Sequence, residues 1–147
     1  YYWNFVCGKV FDLKFTLFNS TIKDCAKLMM DNHIGCVPVC DDSKKVVGVV
    51  TDRDIILRTV ACDKDVKTTP VSDIMSCNVC CCTPDTDVAD AEKLMSQNQI
   101  RRIPVIDNNK IIGILTLGDL ATNENVSTQG LCSTLENICC DNTKNAG

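Results

Sequence analysis

Hydrophobic and polar positions alternate in blocks that predict short helices and strands. The segment 22–32 carries apolar side chains at helical spacing, and Ser20 or Thr21 is placed to cap it. "CVPVC" predicts a short strand, in which Pro38 favours an edge position or a strand start. The apolar run "VVGVVT" predicts a strand buried on both faces, and "DRDIILRTVA", residues 52–61, predicts a second helix.

The same order of elements occurs twice in the chain. A stretch that starts at Asp24 is matched by one that starts at Asp90, and the first copy has one extra residue in its turn. The second copy predicts helix "VADAEKLMSQN", strand "RIPVI", turn "DNNK", strand "IIGILT" and helix "LGDLAT". "KFTLF", residues 14–18, takes the place of a first strand in copy one, and "NVCCC", residues 78–82, does so in copy two. The sequence therefore predicts two similar lobes built from strand, helix, strand, strand and helix.

Composition narrows the class of protein. The chain has 147 residues and a net charge of −4, which argues against nucleic acid as a partner, and no apolar run is long enough for a membrane span. All seven aromatic residues lie within the first 18 positions. Twelve cysteines, several of them consecutive or inside apolar patterns, favour free thiols in a reducing cytoplasm over a disulfide scaffold.

The combined pattern resembles the tandem CBS-domain family, in particular its small stand-alone bacterial proteins. The resemblance rests on "GCVPVCDDSKKVVGVVTDRDIILR" in copy one, and on "VSDIM", "TPDTDV" and "AEKLMSQNQIRRIPVIDNNKIIGILTLGDL" in copy two. It implies an α+β fold of two βαββα repeats packed as a pseudo-symmetric pair. We predict an atypical aromatic-rich segment over 1–19, repeat 1 over 20–63, repeat 2 over 64–122 and a polar tail, helical or disordered, over 123–147.

A Thr-x-x-Asp motif follows the second apolar strand of each copy. Thr51 and Asp54, like Thr116 and Asp119, fit a capping box in which threonine and aspartate satisfy the first turn of a helix. The same carboxylates are suited to the hydroxyls of a ribose. Both interpretations stay open at this point.

The resemblance implies a ligand that contains adenosine, bound in the clefts between repeats: AMP, ADP, ATP or S-adenosylmethionine. Arginine suits the phosphates because its donors form a planar fork, and the Pro-containing strands would offer backbone and aliphatic contacts to base and sugar. The candidate ligand-binding residues are Thr51, Arg53, Asp54, Thr116, Asp119, Arg102, Ile34, Gly35, Cys36, Val37, Pro38, Ile100, Arg101, Ile103 and Pro104.

The resemblance implies a regulatory module without catalysis, requiring no cofactor, that forms a homodimer and acts on an unknown effector protein. Phosphate-binding and dinucleotide-binding glycine motifs are absent from the sequence, and the lone His33 has no identifiable nucleophile partner. A metal or redox site at Cys77, Cys80 and Cys82 is one alternative, although residues of a strand alternate between its two faces. A scaffold for protein interaction that binds no nucleotide is the other.

Overall fold

A computed structural model describes residues 13–122 and 127–139. The aromatic-rich segment up to residue 12 and the rest of the predicted tail lie outside the described residues. The elements are β1 (Thr16–Leu17), α1 (Ile22–Asn32), β2 (Cys36–Cys40), β3 (Val46–Thr51), α2 (Asp52–Arg58), α3 (Val88–Asn98), β4 (Arg102–Asp107), β5 (Lys110–Thr116), α4 (Leu117–Ala121) and α5 (Thr128–Cys139), with 3-10 turns at Val60–Cys62 and Val71–Asp73. This mixture of helices and strands confirms the predicted α+β class.

Contacts divide the chain into two compact units. The repeat 1 unit contains the described residues up to Val79 together with 109–111, and the repeat 2 unit contains 80–108 and 112–122 with α5. The predicted domain boundaries follow the repetition in the sequence, whereas these units follow spatial contacts.

The repeat 1 unit is built on a three-stranded sheet in the order β1-β2-β3. β1 pairs parallel to β2, with Thr16 beside Val39, and β2 pairs antiparallel to β3, with Cys36 beside Thr51. "KFTLF" therefore contributes the expected strand through Thr16–Leu17. Apolar side chains of α1 cover the sheet, and the buried core consists of Ile22, Cys25, Met29, Val37, Val39, Val50, Val71 and Ile74.

The "VSDIM" segment, which opens the second copy in the sequence, packs on the first unit. Val49 and Ser76 exchange two backbone hydrogen bonds of 3.0 and 2.9 Å. Gly48 permits this approach, because a Cβ there would lie 2.6 Å from Met75 Sδ.

The repeat 2 unit contains the two-stranded sheet β4-β5 and the helices α3, α4 and α5. Asn108 and Asn109 both have positive φ, 49° and 63°, as a tight two-residue turn between strands requires. The predicted strand over 78–82 is wrong: only Cys82 bridges β4, through hydrogen bonds with Pro104 and Ile106. The buried core consists of Cys82, Val88, Ala91, Met95, Ile103, Val105, Leu115 and Leu120.

Local polar groups set the helix ends. Thr21 is the N-cap of α1, since its hydroxyl accepts the Asp24 N–H at 3.2 Å. His33 ends the same helix in the left-handed region at φ 53°, so the lone histidine terminates a helix. α2 ends at Arg58, three residues before the predicted end, and the buried hydroxyl of Thr59 donates to the carbonyl of Ile55.

The described part of the tail forms α5, which packs on α3 within the repeat 2 unit. Leu131 and Ile138 contact the core of that unit, and Thr134 is buried. The apolar spacing in the tail thus belongs to a helix that covers its own repeat.

Candidate functional site

Each Thr-x-x-Asp motif lies where an apolar strand ends and a helix begins, and both form complete capping boxes. In repeat 1, Thr51 Oγ1 accepts the Asp54 N–H at 3.1 Å, and Asp54 Oδ2 accepts the Thr51 N–H at 2.9 Å. In repeat 2 the distances for Thr116 and Asp119 are 3.1 and 2.8 Å. The capping interpretation is therefore confirmed at both positions.

The two carboxylates differ in what remains available to a ligand. Asp54 Oδ1 lies 3.7 Å from Arg58 Nη2, and Arg58 also donates to the Ile74 carbonyl at 2.7 Å. Asp119 uses Oδ2 alone, accepting from the N–H and the hydroxyl of Thr116, both at 2.8 Å. Within the part of the chain that the structure describes, Asp119 Oδ1 makes no hydrogen bond or ion pair.

A second hydrogen bond ties each helix start to the loop that leads into the neighbouring strand. The Asp52 N–H donates to the Gly35 carbonyl at 3.0 Å, and the Leu117 N–H donates to the Arg101 carbonyl at 2.9 Å. These bonds hold the start of the Pro-containing strand beside the capping box of the same repeat. We call this edge of each repeat its rim. Sequence reasoning placed both segments at the site but did not identify these bonds.

The loop before β2 passes close to the first residue of α2 in repeat 1. A Cβ at Gly35 would lie 2.8 Å from Asp52 Oδ2, so a larger residue would displace the aspartate. The equivalent position in repeat 2 is Arg101. Repeat 2 therefore has the cationic side chain of Arg101 at the position where Gly35 of repeat 1 has no side chain.

Arginines near the rims have different environments. Arg53 and Arg102 are exposed, and their guanidinium groups make no ion pair or hydrogen bond among residues 13–122 and 127–139. Arg101 is also exposed, and its Nη2 lies 3.6 Å from Sγ of Cys139 at the end of α5. The contact with α5 was not foreseen, because apolar spacing predicts a helix but not its docking position.

The aliphatic candidates divide into accessible and buried side chains. Ile34, Cys36 and Ile100 are half-buried at their rims. The side chains of the remaining strand candidates are fully or almost fully enclosed: these are Val37, Pro38, Ile103 and Pro104. A ligand at either rim would meet the latter four mainly through their backbone, and their contact with a ligand stays a prediction.

The described cysteines are not grouped as a metal centre requires. Among the described residues, no group of three or more His, Cys, Asp or Glu side chains is arranged to hold a metal ion. Burial raises the pKa of Cys80. Burial also raises the pKa of Cys81, and the neighbouring Cys80 adds a smaller effect in the same direction. These shifts favour the neutral form of the two thiols in the metal-free protein. The alternation argument used for Cys77, Cys80 and Cys82 no longer applies, since 78–82 is not a strand.

The two repeats, each with a helix-covered sheet and a capped helix at its rim, define a tandem-repeat module. The sequence matches the profile of the CBS domain twice, over residues 14–60 and 71–124, which together take in more than half of the chain. The protein therefore belongs to the CBS-domain family, and it is a CBS-pair regulatory module.

Relatives support the same assignment. The CBS domain-containing protein YhcV of Bacillus subtilis is 43% identical over 120 residues, which cover 82% of this chain and 84% of YhcV. A crystal structure of CBSX2 in complex with AMP is similar at 29% identity and a TM-score of 0.65, covering 75% of this chain and 85% of that one. Hypoxic Response Protein I with two coordinated zinc ions is similar at 26% identity and a TM-score of 0.69, covering 75% and 89%.

None of the helices in the described part of the chain has the length and apolar character that a membrane span requires.

Proposed function

We propose that the chain is a ligand-sensing CBS module that binds an adenosine-containing ligand, AMP, ADP, ATP or S-adenosylmethionine, and performs no catalysis of its own. The rim of repeat 2 is the principal site. The observation that carries this proposal is Oδ1 of Asp119, which has no partner among the described residues. Its capping box opens a helix that is hydrogen-bonded to Arg101, and Arg102 is the next residue.

The chemistry of that rim matches a nucleoside with a phosphate. A half-buried carboxylate with one oxygen free can accept hydrogen bonds from ribose hydroxyls while its other oxygen maintains the cap. Arg102 has no competing acceptor among the described residues and is suited to a phosphate group. Half-buried Ile100 offers aliphatic surface to the base, for which the described residues of this unit supply no aromatic side chain.

The rim of repeat 1 offers fewer groups that suit the same ligand. Asp54 forms an ion pair with Arg58. Gly35 and Cys36 occupy the positions that correspond to Arg101 and Arg102. We expect this rim to bind more weakly, with Arg53 as its available cation. The complex of CBSX2 with AMP, a protein similar to this one, supports the choice of ligand class.

Isothermal titration calorimetry with each of the four ligands tests the proposal. Arg102→Ala should weaken binding of a phosphate-bearing ligand by about 10-fold or more, the usual effect of losing a charge-assisted hydrogen bond. Lys110→Ala is the matched control, because Lys110 is an exposed cation at the other end of β5. Equal affinities for the two variants, or no binding by the wild-type chain, would overturn the assignment.

A zinc-responsive module is the second candidate, favoured by the zinc-bound structure of Hypoxic Response Protein I. Its candidate ligands here remain Cys77, Cys80 and Cys82. Elemental analysis of protein purified with reductant decides between the two: stoichiometric zinc that is lost in a Cys80→Ser variant would favour metal sensing over nucleotide sensing.

Partner and compartment are part of the same proposal. We expect the module to form a homodimer in a reducing cytoplasm and to transmit ligand occupancy to an effector protein. Co-purification with and without the ligand identified by calorimetry would test the effector, and an unchanged set of partners would count against transmission.

A further inference from the structure

Helix α5 docks on repeat 2 with one of its faces. Leu131 and Ile138 pack on the core of the repeat, and the side chain of Thr134 between them is buried. These three positions recur at helical spacing and therefore share one face of α5. In the last turn, Asn137 Nδ2 donates to Ser96 Oγ of α3 at 2.8 Å. Apolar and polar contacts thus hold α5 against the same repeat.

Repeat 2 supplies charges that match the dipole of α5 at both ends of the helix. α5 itself has no acidic residue in its first turn and no basic residue in its last turn. Glu92 lies beside the first turn: a Cβ at Gly130 would lie 3.1 Å from its Oε1, a buried atom without a hydrogen-bond partner among the described residues. At the other end, Arg101 Nη2 lies 3.6 Å from Cys139 Sγ. An anion near the start of a helix and a cation near its end both favour the docked state.

The last turn of α5 also holds the loop that leads into β4. Gln99 Nε2 donates to the Asn137 carbonyl at 3.2 Å, and Arg101 contacts Cys139. The Asn137 carbonyl is one of the last four of α5, which have no partner within the helix. The Arg101 carbonyl in turn accepts the Leu117 N–H at 2.9 Å, at the start of α4. The strand-like loop is therefore held both by α5 and by the helix that the capping box begins.

The loop residues that α5 holds are not the ones that remain available to a ligand. Gln99 and Arg101 contact α5, whereas Ile100 is half-buried. The guanidinium group of Arg102 makes no ion pair or hydrogen bond within the described part of the chain. Ile100 and Arg102 are the side chains assigned above to the base and the phosphate. Because α5 restricts the residues on either side of Ile100, fewer groups must be ordered when a ligand binds.

We propose that α5 is a strap that fixes residues 99–102 for ligand binding, so that docking of α5 and ligand occupancy at the rim of repeat 2 favour each other. This inference rests on the proposed function of that rim. The coupling is reciprocal: the factor by which docking strengthens ligand binding is the factor by which the ligand strengthens docking. Thr134 and Asn137 are positioning residues, since they act on the ligand through the loop.

Two measurements on the full chain test the strap with Thr134→Gln, which places a longer polar side chain in the docked face of α5. Ser133→Gln is the matched control, because Ser133 is the adjacent residue and is exposed. Titration calorimetry with AMP should show binding to Thr134→Gln about 5-fold weaker or more, and unchanged binding to the control. Without ligand, hydrogen exchange should be faster in Thr134→Gln along α5 and at the Leu117 amide, whose acceptor at Arg101 is then less firmly held. AMP should slow exchange along α5 of the wild type, as reciprocity requires.

The outcomes separate the strap from the ligand site. Equal AMP affinities of the wild type and Thr134→Gln would overturn the strap and leave the ligand site in place. A wild-type chain that does not bind AMP would overturn the ligand site and the coupling with it, and unchanged exchange of the Leu117 amide would overturn the hold of α5 on the loop as well. Circular dichroism establishes that each variant is folded. If Thr134→Gln does not fold or does not loosen α5, Asn137→Ala decides by the same measurements, because it removes the hydrogen bond to Ser96 from an exposed position.

Discussion

Replacing Asp119 by alanine should destabilise the ligand-free protein more than the same change at Asp54. Asp119 Oδ2 accepts hydrogen bonds from the N–H and the hydroxyl of Thr116, both at 2.8 Å, at the positive end of α4. One cap hydrogen bond contributes about 1 kcal/mol, and the second bond with the helix dipole brings the expected loss for Asp119→Ala to about 2 kcal/mol.

Asp54 should contribute less to stability. Its carboxylate accepts one bond from the Thr51 N–H at 2.9 Å, and its pairing with Arg58 at 3.7 Å is half-exposed. An exposed ion pair adds at most about 1 kcal/mol and is commonly worth much less, so we expect Asp54→Ala to cost about 1 kcal/mol in total.

Urea denaturation without ligand measures both values, and the m-value should be unchanged in each variant. Lys110→Ala, at an exposed position outside the caps, should stay within about 0.5 kcal/mol of the wild type. The reasoning fails if Asp119→Ala costs under about 0.5 kcal/mol, or if Asp54→Ala is the more damaging change.

Three further predictions concern the rest of the fold. Burial raises the pKa values of Cys25 and Cys40 from 9.0 to about 11, with a smaller effect of Cys36 on Cys25 and of Asp41 on Cys40. Because these thiols ionise at lower pH in the unfolded chain, the free energy of unfolding should fall between pH 9 and 11, and urea titrations that show no fall would contradict this. His33→Gly should stabilise the protein by about 0.5–1 kcal/mol, since φ at this helix end is 53° and glycine adopts that region without strain, and an unchanged or lower urea midpoint would count against this. Gly48→Ala should lower the melting temperature by several degrees, because its Cβ would lie 2.6 Å from Met75 Sδ and 3.1 Å from the backbone oxygen of Ser76. A melting temperature that calorimetry finds unchanged would contradict this.

The helices and most strands were predictable because their signals are local. α1 and α3 span the segments that apolar spacing indicated, since polar residues that cap or end helices lie at both ends. The segment 78–82 was not predictable in this way. Its apolar cysteines favour a strand, but only Cys82 obtains ladder hydrogen bonds from a neighbouring strand.

The sequence predicted which residues make up the candidate site, but not which of their carboxylate oxygens remain available to a ligand. Sequence alone placed equivalent carboxylates in both repeats. Only the structure reveals that Asp54 pairs with Arg58 and that Gly35 lies close to Asp52. Both contacts depend on how α2 packs against its neighbouring loops. The offset between copies did indicate the asymmetry at Arg101 and Arg102.

Calorimetric titration of AMP into the wild-type chain and an Asp119→Asn variant tests the central claim most directly. Asparagine keeps an oxygen for the cap but removes the charge offered to the ribose hydroxyls, so the account predicts measurable wild-type binding that weakens about 10-fold or more in the variant. The urea midpoint should fall less than in Asp119→Ala, because only the interaction of the charge with the helix dipole is lost. Binding of equal strength in both proteins would contradict the claim that this carboxylate holds the ligand.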